Sequence, residues 1–364
     1  MKVVVLEHFT SLPEGAGPAG LVEEGRAMRD AVAADLLRLP GIEVLVVEHG
    51  RLFREALRAS RAALVIAPAA GGVLETRCRE VEEERRLLLG PSAASVRLAS
   101  DKLLTCRCLG AAGVAMPRTD TVPFASAHGR LRALTLPFVV KPRDGCGGRG
   151  VILVRRRAAI GAAIAALRKA TQRRDFLVQE YVEGDAASVS ILARDRADPG
   201  DRSALLPLGL NRQTGEWRDS FAYLGGETAW PHPLAPQALM AATAAVAALA
   251  RAAPGVRGYL GVDLVLGRAG ATVIEVNPRL TTSYIGLRRS VGENLARLVL
   301  DAATGRPLPV RVAVASRHRF RADGTTVMLT GPGRAATGAG AVASRRVEAW
   351  RWPITSAGTS AASI

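Results

Sequence analysis

Two carboxylates and an amide raise the first chemical question. Asp263, Glu275 and Asn277 lie in GVDLVLGRAGATVIEVN, residues 261–277. Residues 262–266 and 272–276 are β-rich runs around Gly267-Arg268-Ala269-Gly270, which predicts a hairpin. Folding about that turn brings Asp263 close to opposite Glu275, and the two-residue period of a strand returns Asn277 to the same face. Two carboxylates and an amide oxygen at one hairpin end suit Mg²⁺, which leaves its other positions to water and phosphates. Solvated acids at a hairpin rim account for the three residues equally well, so the surrounding chain must decide.

The lysines are the next signal. The chain has 45 Arg but only four Lys, at positions 2, 102, 141 and 169. A guanidinium fork cannot everywhere replace a compact ammonium, so a lysine in a motif position is informative here. Lys141 ends the run Phe138-Val139-Val140, and Pro142 and the glycine-rich stretch RDGCGGRG follow it. Gly145, Gly147, Gly148 and Gly150 free the backbone to bring its N–H groups up to phosphates, with Lys141 adding a point charge. A strand, a lysine, a glycine loop and the strand 151–154 in succession join cation and cradle in one hairpin. Asp101-Lys102 stands at or within the start of another helix.

These groups must be positioned by the rest of the chain. Strand 2–6, helix 21–37, strand 42–47, a short helix over 52–59 and strand 63–67 predict a small parallel sheet with helices on its faces. The loop after the first strand lies at a carboxyl edge, where such sheets bind ligands, but it has no GxGxxG fingerprint. His8 and Thr10 in that loop either touch substrate or shape the turn. Further on come a charged helix over 75–86, strands at 176–179 and 188–193, a surface loop over 194–202 and a helix over 239–253. A single helix is expected over 286–303, with Arg288 and Arg289 at its beginning, where they could help hold an amino-acid carboxylate or lie on a solvated helix face. Beyond about residue 311 the chain is rich in Gly, Ala, Arg and Ser, and segments 335–343 and 356–364 are expected to be mobile.

A chain of 364 residues is long enough for two or three domains with substantial cores. Apolar runs such as 239–249 are too short or too weak to span a bilayer, and residues 1–6 read as a strand rather than a signal peptide, so a cytoplasmic protein is expected. Cys78, Cys106, Cys108 and Cys146 form no CxxC pair and have no His cluster beside them, which argues for reduced thiols and against zinc. The net charge of +16 is scattered along the chain without interleaved aromatics; that favours acidic small ligands over nucleic acid. A homodimer stays open.

In their order, these motifs resemble the ATP-grasp superfamily of carboxylate–amine ligases over roughly residues 1–310. The resemblance implies an α/β fold of ATP-grasp architecture: a Rossmann-like pre-ATP-grasp domain at 1–97, two α+β subdomains at 98–182 and 183–310 gripping ATP, and a partly flexible extension at 311–364. It makes Lys102 and Lys141, with Gly145, Gly147 and Gly148, ligands of the nucleotide phosphates. Gln179, the Glu180 carbonyl and the Val182 amide resemble the hinge that reads adenine, and Asp263, Glu275 and Asn277 resemble the Mg²⁺ (or Mn²⁺) ligands. Two positions depart from the pattern. Ala186 stands where many members carry a ribose carboxylate, so Asp185 or Glu183 would have to substitute. Gly261 replaces an arginine, which leaves Arg279 as the candidate to stabilise the acyl-phosphate. The opening V-x-L-E-H-F-T and the string Asn277-Pro278-Arg279-Leu280-Thr281-Thr282-Ser283-Tyr284 are similar to the tyramine–L-glutamate ligase branch of methanofuran biosynthesis. That likeness implies glutamate and an aromatic amine or amino acid as substrates, in making a methanofuran- or methylofuran-type cofactor. The alternatives are an ATP-grasp ligase for another acid and amine, or a nucleotide-binding protein without catalysis.

Overall fold

The strand β1 (Lys2–Glu7) is an apolar run buried on both sides, as an inner strand of a parallel sheet must be. The computed structural model describes residues 1–145, 147–195, 204–217 and 221–329. After β1 come α1 (Ala19–Leu37), β2 (Glu43–Val46), α2 (Phe53–Arg58), β3 (Ala62–Ile66), α3 (Val73–Glu83) and β4 (Leu87–Leu88). The four strands are parallel in the order β2-β1-β3-β4, as the strand–helix alternation predicts. Side chains alternate across β1 accordingly. Val3 and Val5 pack toward α1, whereas Val4 and Leu6 pack toward Phe53 and Leu57 of α2 and Leu74 and Val81 of α3.

Two helices lead away from this sheet: α4 (Ala93–Ser100), capped by Ser92, and α5 (Lys102–Ala111), capped by Asp101. The Asp101 carboxylate accepts the backbone N–H groups of Leu103 and Leu104, so Lys102 is the first residue of α5. Cys106 and Cys108 lie on this helix. A second, antiparallel sheet follows: β5 (Thr119–Pro123), α6 (Ala127–Arg132), β6 (Phe138–Lys141), β7 (Ile152–Val154), α7 (Ile160–Ala170) and β8 (Asp175–Glu180). Its strand order is β5-β8-β6-β7, and α6 and α7 cover one face.

The largest sheet has seven strands, every neighbouring pair antiparallel, in the order β13-β12-β9-β10-β11-β14-β15. Its elements in chain order are β9 (Asp185–Ala193), β10 (Leu205–Trp217), β11 (Phe221–Glu227), α8 (Ala235–Ala252), β12 (Gly258–Gly267), β13 (Gly270–Asn277), α9 (Ser283–Ser290), α10 (Leu295–Ala303), β14 (Arg317–Arg321) and β15 (Thr326–Leu329). The alanine-rich α8 covers one face, where Ala242, Val246 and Leu249 meet Val189, Ile191 and Val262. On the other face α9 and α10 share a core with α1, which joins this sheet to the parallel one.

Two expectations need correction. Residues 286–303 do not form one helix. Val291 is extended and bridges Val314, Gly292 follows it, and Asn294 starts α10 afresh by accepting the Arg297 N–H. Arg288 and Arg289 therefore occupy the last turn of α9, not the start of a helix. Residues 317–329, expected in a trailing extension, form two strands of the large sheet. In β14, His318 and Phe320 point inward between exposed arginines, an alternation masked by the charge around it. Cys146, most of the loop expected at 194–202, and segments 335–343 and 356–364 lie outside the described residues.

Candidate functional site

The β12–β13 hairpin forms with Asp263 directly opposite Glu275 and Gly261 opposite Asn277. Asp263 Oδ1 accepts the Gln213 side-chain amide at 2.7 Å, and Oδ2 accepts Asn277 Nδ2 at 2.9 Å. Asn277 thus spends its amide nitrogen on Asp263, and its carbonyl oxygen is the atom it can offer a ligand. Burial, with Glu275 beside it, pushes the Asp263 carboxyl up to about 7. Burial also works to raise Glu275, but Lys102 and Lys141 outweigh it and hold this carboxyl below its ordinary range. The two carboxylates, directly opposite across the hairpin, thus shift in opposite directions.

Two lysines supply positive charge at the same place. Lys102 Nζ donates to Glu275 Oε2 and to Gly145 O, both at 2.9 Å, so it joins the hairpin to the glycine loop. Lys141, at the end of β6, is 2% exposed. Burial lowers its pKa against the opposing pull of Glu275. The loop after it turns through Gly147 and Gly148, with φ of 60° and 74°. A side chain at Gly148 would put its Cβ 2.5 Å from the Phe221 carbonyl oxygen, so only glycine permits this approach to β11.

All these groups line one cavity of about 650 Å³, walled by the two antiparallel sheets and the start of α1. Gly145, Gly147, Gly148, Gln179, Glu180, Tyr181 and Val182 belong to the same lining. Gln179 is buried at the end of β8, its amide nitrogen donating to Thr119 Oγ1 at 2.8 Å. Arg279 lines the cavity as well, its Nη1 held on the Leu280 carbonyl at 3.0 Å.

Other candidates stand elsewhere. Ala186 faces the cavity, but Asp185 and Glu183 are not among its lining residues, and Asp185 Oδ2 lies 3.6 Å from His232 Nε2. Arg288 is bound bidentately to Asp35 of α1, with Nε donating to Oδ2 at 2.8 Å and Nη2 to Oδ1. The Tyr284 hydroxyl donates to the same carboxylate at 2.9 Å, so Arg288 fastens α9 to α1 instead of facing the cavity. Arg289 is exposed. Neither His8 nor Thr10 lines the cavity; the Thr10 N–H donates to Glu7 Oε2 at 2.7 Å and shapes the turn.

Several lining residues carried no signal in the sequence: Gln213, Glu23 and Glu24 at the start of α1, Tyr223 on β11, and Arg321 and Asp323 at the β14–β15 turn. They come from four separate segments without a motif, and only the fold brings them together. Among the described residues no group of three or more His, Cys, Asp or Glu side chains could hold a metal; the hairpin end brings together two carboxylates and an amide. No helix among them is long and apolar enough to cross a membrane.

Residues 27–96 match the pre ATP-grasp 3 domain family and residues 99–283 the ATP-grasp domain family, the second match alone covering just over half of the chain. A tyramine–L-glutamate ligase of Methanocaldococcus jannaschii is 28% identical over 250 residues, which make up 69% of this chain and 65% of the relative. A probable alpha-L-glutamate ligase of Xylella fastidiosa is 30% identical over 214 residues, covering 57% of this chain and 63% of the relative. The match thus spans a little under two thirds of each relative's length. Among solved structures, a putative ATP-grasp superfamily protein from Archaeoglobus fulgidus superimposes with a TM-score of 0.64 at 23% identity, covering 88% of this chain and 92% of that one.

Proposed function

The chain belongs to the ATP-grasp family, and on that premise we propose that it is an ATP-dependent, ADP-forming carboxylate–amine ligase that joins L-glutamate to tyramine or tyrosine. One observation carries the reading. Two lysines, a glycine loop and an acid–acid–amide hairpin end face one cavity large enough for a nucleotide and a second substrate.

In this reading, Lys102, Lys141 and the N–H groups around Gly145, Gly147 and Gly148 hold the phosphates. Gln179, the Glu180 carbonyl and the Val182 amide hold adenine. Asp263, Glu275 and Asn277 provide the hard oxygen set for Mg²⁺, whose contribution when bound is to neutralise charge on the phosphates. A glutamate carboxylate oxygen attacks the γ-phosphorus, its new P–O bond replacing the bond to ADP. The lysines and Arg279 stabilise charge on the transferred group, and no protein nucleophile is needed. The amine nitrogen then attacks the acyl carbon. The C–O bond to phosphate breaks, phosphate leaves with the electron pair, and the nitrogen sheds a proton as the amide forms.

Glutamate has more support than its partner amine. The M. jannaschii and X. fastidiosa relatives share glutamate in their names but not an amine. A second reading, glutamate joined to a different amine, rests on that observation. The role for tyramine or tyrosine, and with it a place in methanofuran- or methylofuran-type cofactor synthesis, follows the tyramine ligase likeness. Mass spectrometry of the products from ATP, Mg²⁺, L-glutamate and tyramine or tyrosine tests the proposal. The expected result is ADP release that requires both organic substrates, with a product of amide mass. ADP release without an acid, or a product lacking glutamate, overturns it.

A further inference from the structure

The cavity draws part of its lining from two segments outside both family matches. One is the start of α1, with Leu21, Glu23 and Glu24; the other is the β14–β15 turn, with Arg321 and Asp323. The turn is firmly seated. Phe320 beside it is 1% exposed, Arg319 donates to Glu227 Oε1 at 2.7 Å, and β14 pairs with β11 through Gly225 and Arg321. At Gly324 the turn comes close enough to α1 that an added Cβ would lie 3.0 Å from that of Ala27. The two segments therefore meet beside the cavity, which Tyr223 and Leu224 of β11 also line.

Glu24 stands out among these lining residues. Its Oε1 accepts the Thr282 hydroxyl, which fixes the carboxylate to the segment that leaves the hairpin through Asn277 and Arg279. Its Oε2 accepts no hydrogen bond from any described residue. Arg279 provides a cation in the same cavity, and Leu21, Tyr223 and Leu224 provide apolar surface. An anchored carboxylate with a free oxygen, in a cavity that also presents apolar side chains and an arginine, fits a ligand with an ammonium group on an apolar body.

We infer that Glu24 determines specificity for the amine substrate: it holds the ammonium form, with the apolar body against Leu21, Tyr223 and Leu224, before a proton is released to water and the nitrogen attacks. This rests on the ligase reading above. Glu24→Gln tests it, because the amide keeps the side chain's size and an acceptor for Thr282 but removes the charge. With ATP, L-glutamate and tyramine or tyrosine, the amine KM is expected to rise about 10- to 100-fold, as loss of a charge-assisted hydrogen bond implies. The KM values for ATP and glutamate should stay within about twofold. Hydroxylamine, neutral near pH 7, traps an acyl-phosphate as hydroxamate without an ammonium to bind, so hydroxamate formation should survive in the variant and also reports that it is folded. An unchanged amine KM, or hydroxamate and amide formation falling together, overturns the inference while leaving the ligase reading intact. A wild-type protein that releases no ADP and forms no hydroxamate overturns the ligase reading itself, and the inference with it.

Discussion

Lys102 Nζ stands 2.9 Å from Glu275 Oε2 and 2.9 Å from the Gly145 carbonyl oxygen. One ammonium thus ties the first turn of α5 to the hairpin carboxylate and to the glycine loop, three elements far apart in the chain. Glu275 is the hub of this arrangement, since Lys102, Lys141 and Arg279 all act on its charge. Glu275→Gln keeps the side chain's shape but removes that charge. The expected outcome is an overall fold retained by circular dichroism and a loss of ADP formation of at least about 100-fold. Normal Mg²⁺-dependent turnover in the variant would remove Glu275 from the proposed metal site.

Lys141 invites a different substitution. It is 2% exposed although it lines the cavity, so Lys141→Arg keeps the charge but puts a larger planar group where only a slim chain is accommodated. A stability loss of about 1–3 kcal/mol in denaturant titrations is expected. ATP-dependent activity should fall steeply, with Lys102→Arg milder because Lys102, its side chain 10% exposed, is the less buried of the two. Equal effects of the two variants on ATP kinetics would contradict this ranking.

The hairpin, the glycine loop and the parallel sheet were legible because each is written in a short contiguous stretch: β-runs around a turn, glycines beside a lysine, strands alternating with helices. The far wall of the cavity was not. Glu24, Tyr223 and Asp323 lie on three distant segments, and no local periodicity marks any of them. Arg288 misled for the opposite reason. An arginine near a motif suggests a ligand, but its partner Asp35 lies on α1, and nothing local signals that pairing. The break at Val291-Gly292 was hidden because the apolar residues on both sides continue a helical pattern.

Glu7 offers a test by pH. Burial raises its carboxyl pKa above the ordinary 4.5, against the hydrogen bonds from Thr10 and Phe9. A raised carboxyl pKa means the folded state keeps the proton longer than the unfolded state, so folding is penalised as pH climbs above 4.5, fully so above the folded value. Glu7→Gln carries no such charge. Its melting temperature relative to wild type should therefore rise between pH 5 and pH 8. A constant difference across that range would show that burial does not raise this carboxyl.

Arg288 separates structure from chemistry. Its pairing with Asp35 is largely buried, with side-chain exposures of 11% and 5%. Arg288→Ala leaves that buried carboxylate with only the Tyr284 hydroxyl and the exposed Arg38, 3.9 Å away, which should cost about 3–5 kcal/mol in denaturant unfolding. Below the unfolding transition, substrate KM values should stay near wild type, because Arg288 does not line the cavity. A selective rise in the glutamate KM would restore it as a substrate ligand.

Arg279 is where the proposed chemistry is most exposed to failure. It follows Asn277 by two residues, and its backbone N–H donates to the Asn277 carbonyl at 2.8 Å, a tight turn that Pro278 helps to fix. The guanidinium therefore leaves the hairpin end beside Glu275, on whose charge it acts, and faces the cavity. Among the described residues only one of its side-chain N–H groups is held by a carbonyl, that of Leu280, so the fork retains donors for a carboxylate or an acyl-phosphate. Arg279→Ala removes them without touching Lys102, Lys141 or the glycine loop. Loss of one partly desolvated charged pair should cost about 2–5 kcal/mol in kcat/KM for glutamate. ATP affinity, read from a nucleotide-binding titration, should change little. Steady-state kinetics with each substrate varied in turn decides the matter. If glutamate kinetics are unaffected, or only ATP binding weakens, Arg279 belongs to the nucleotide half of the cavity or to its scaffold.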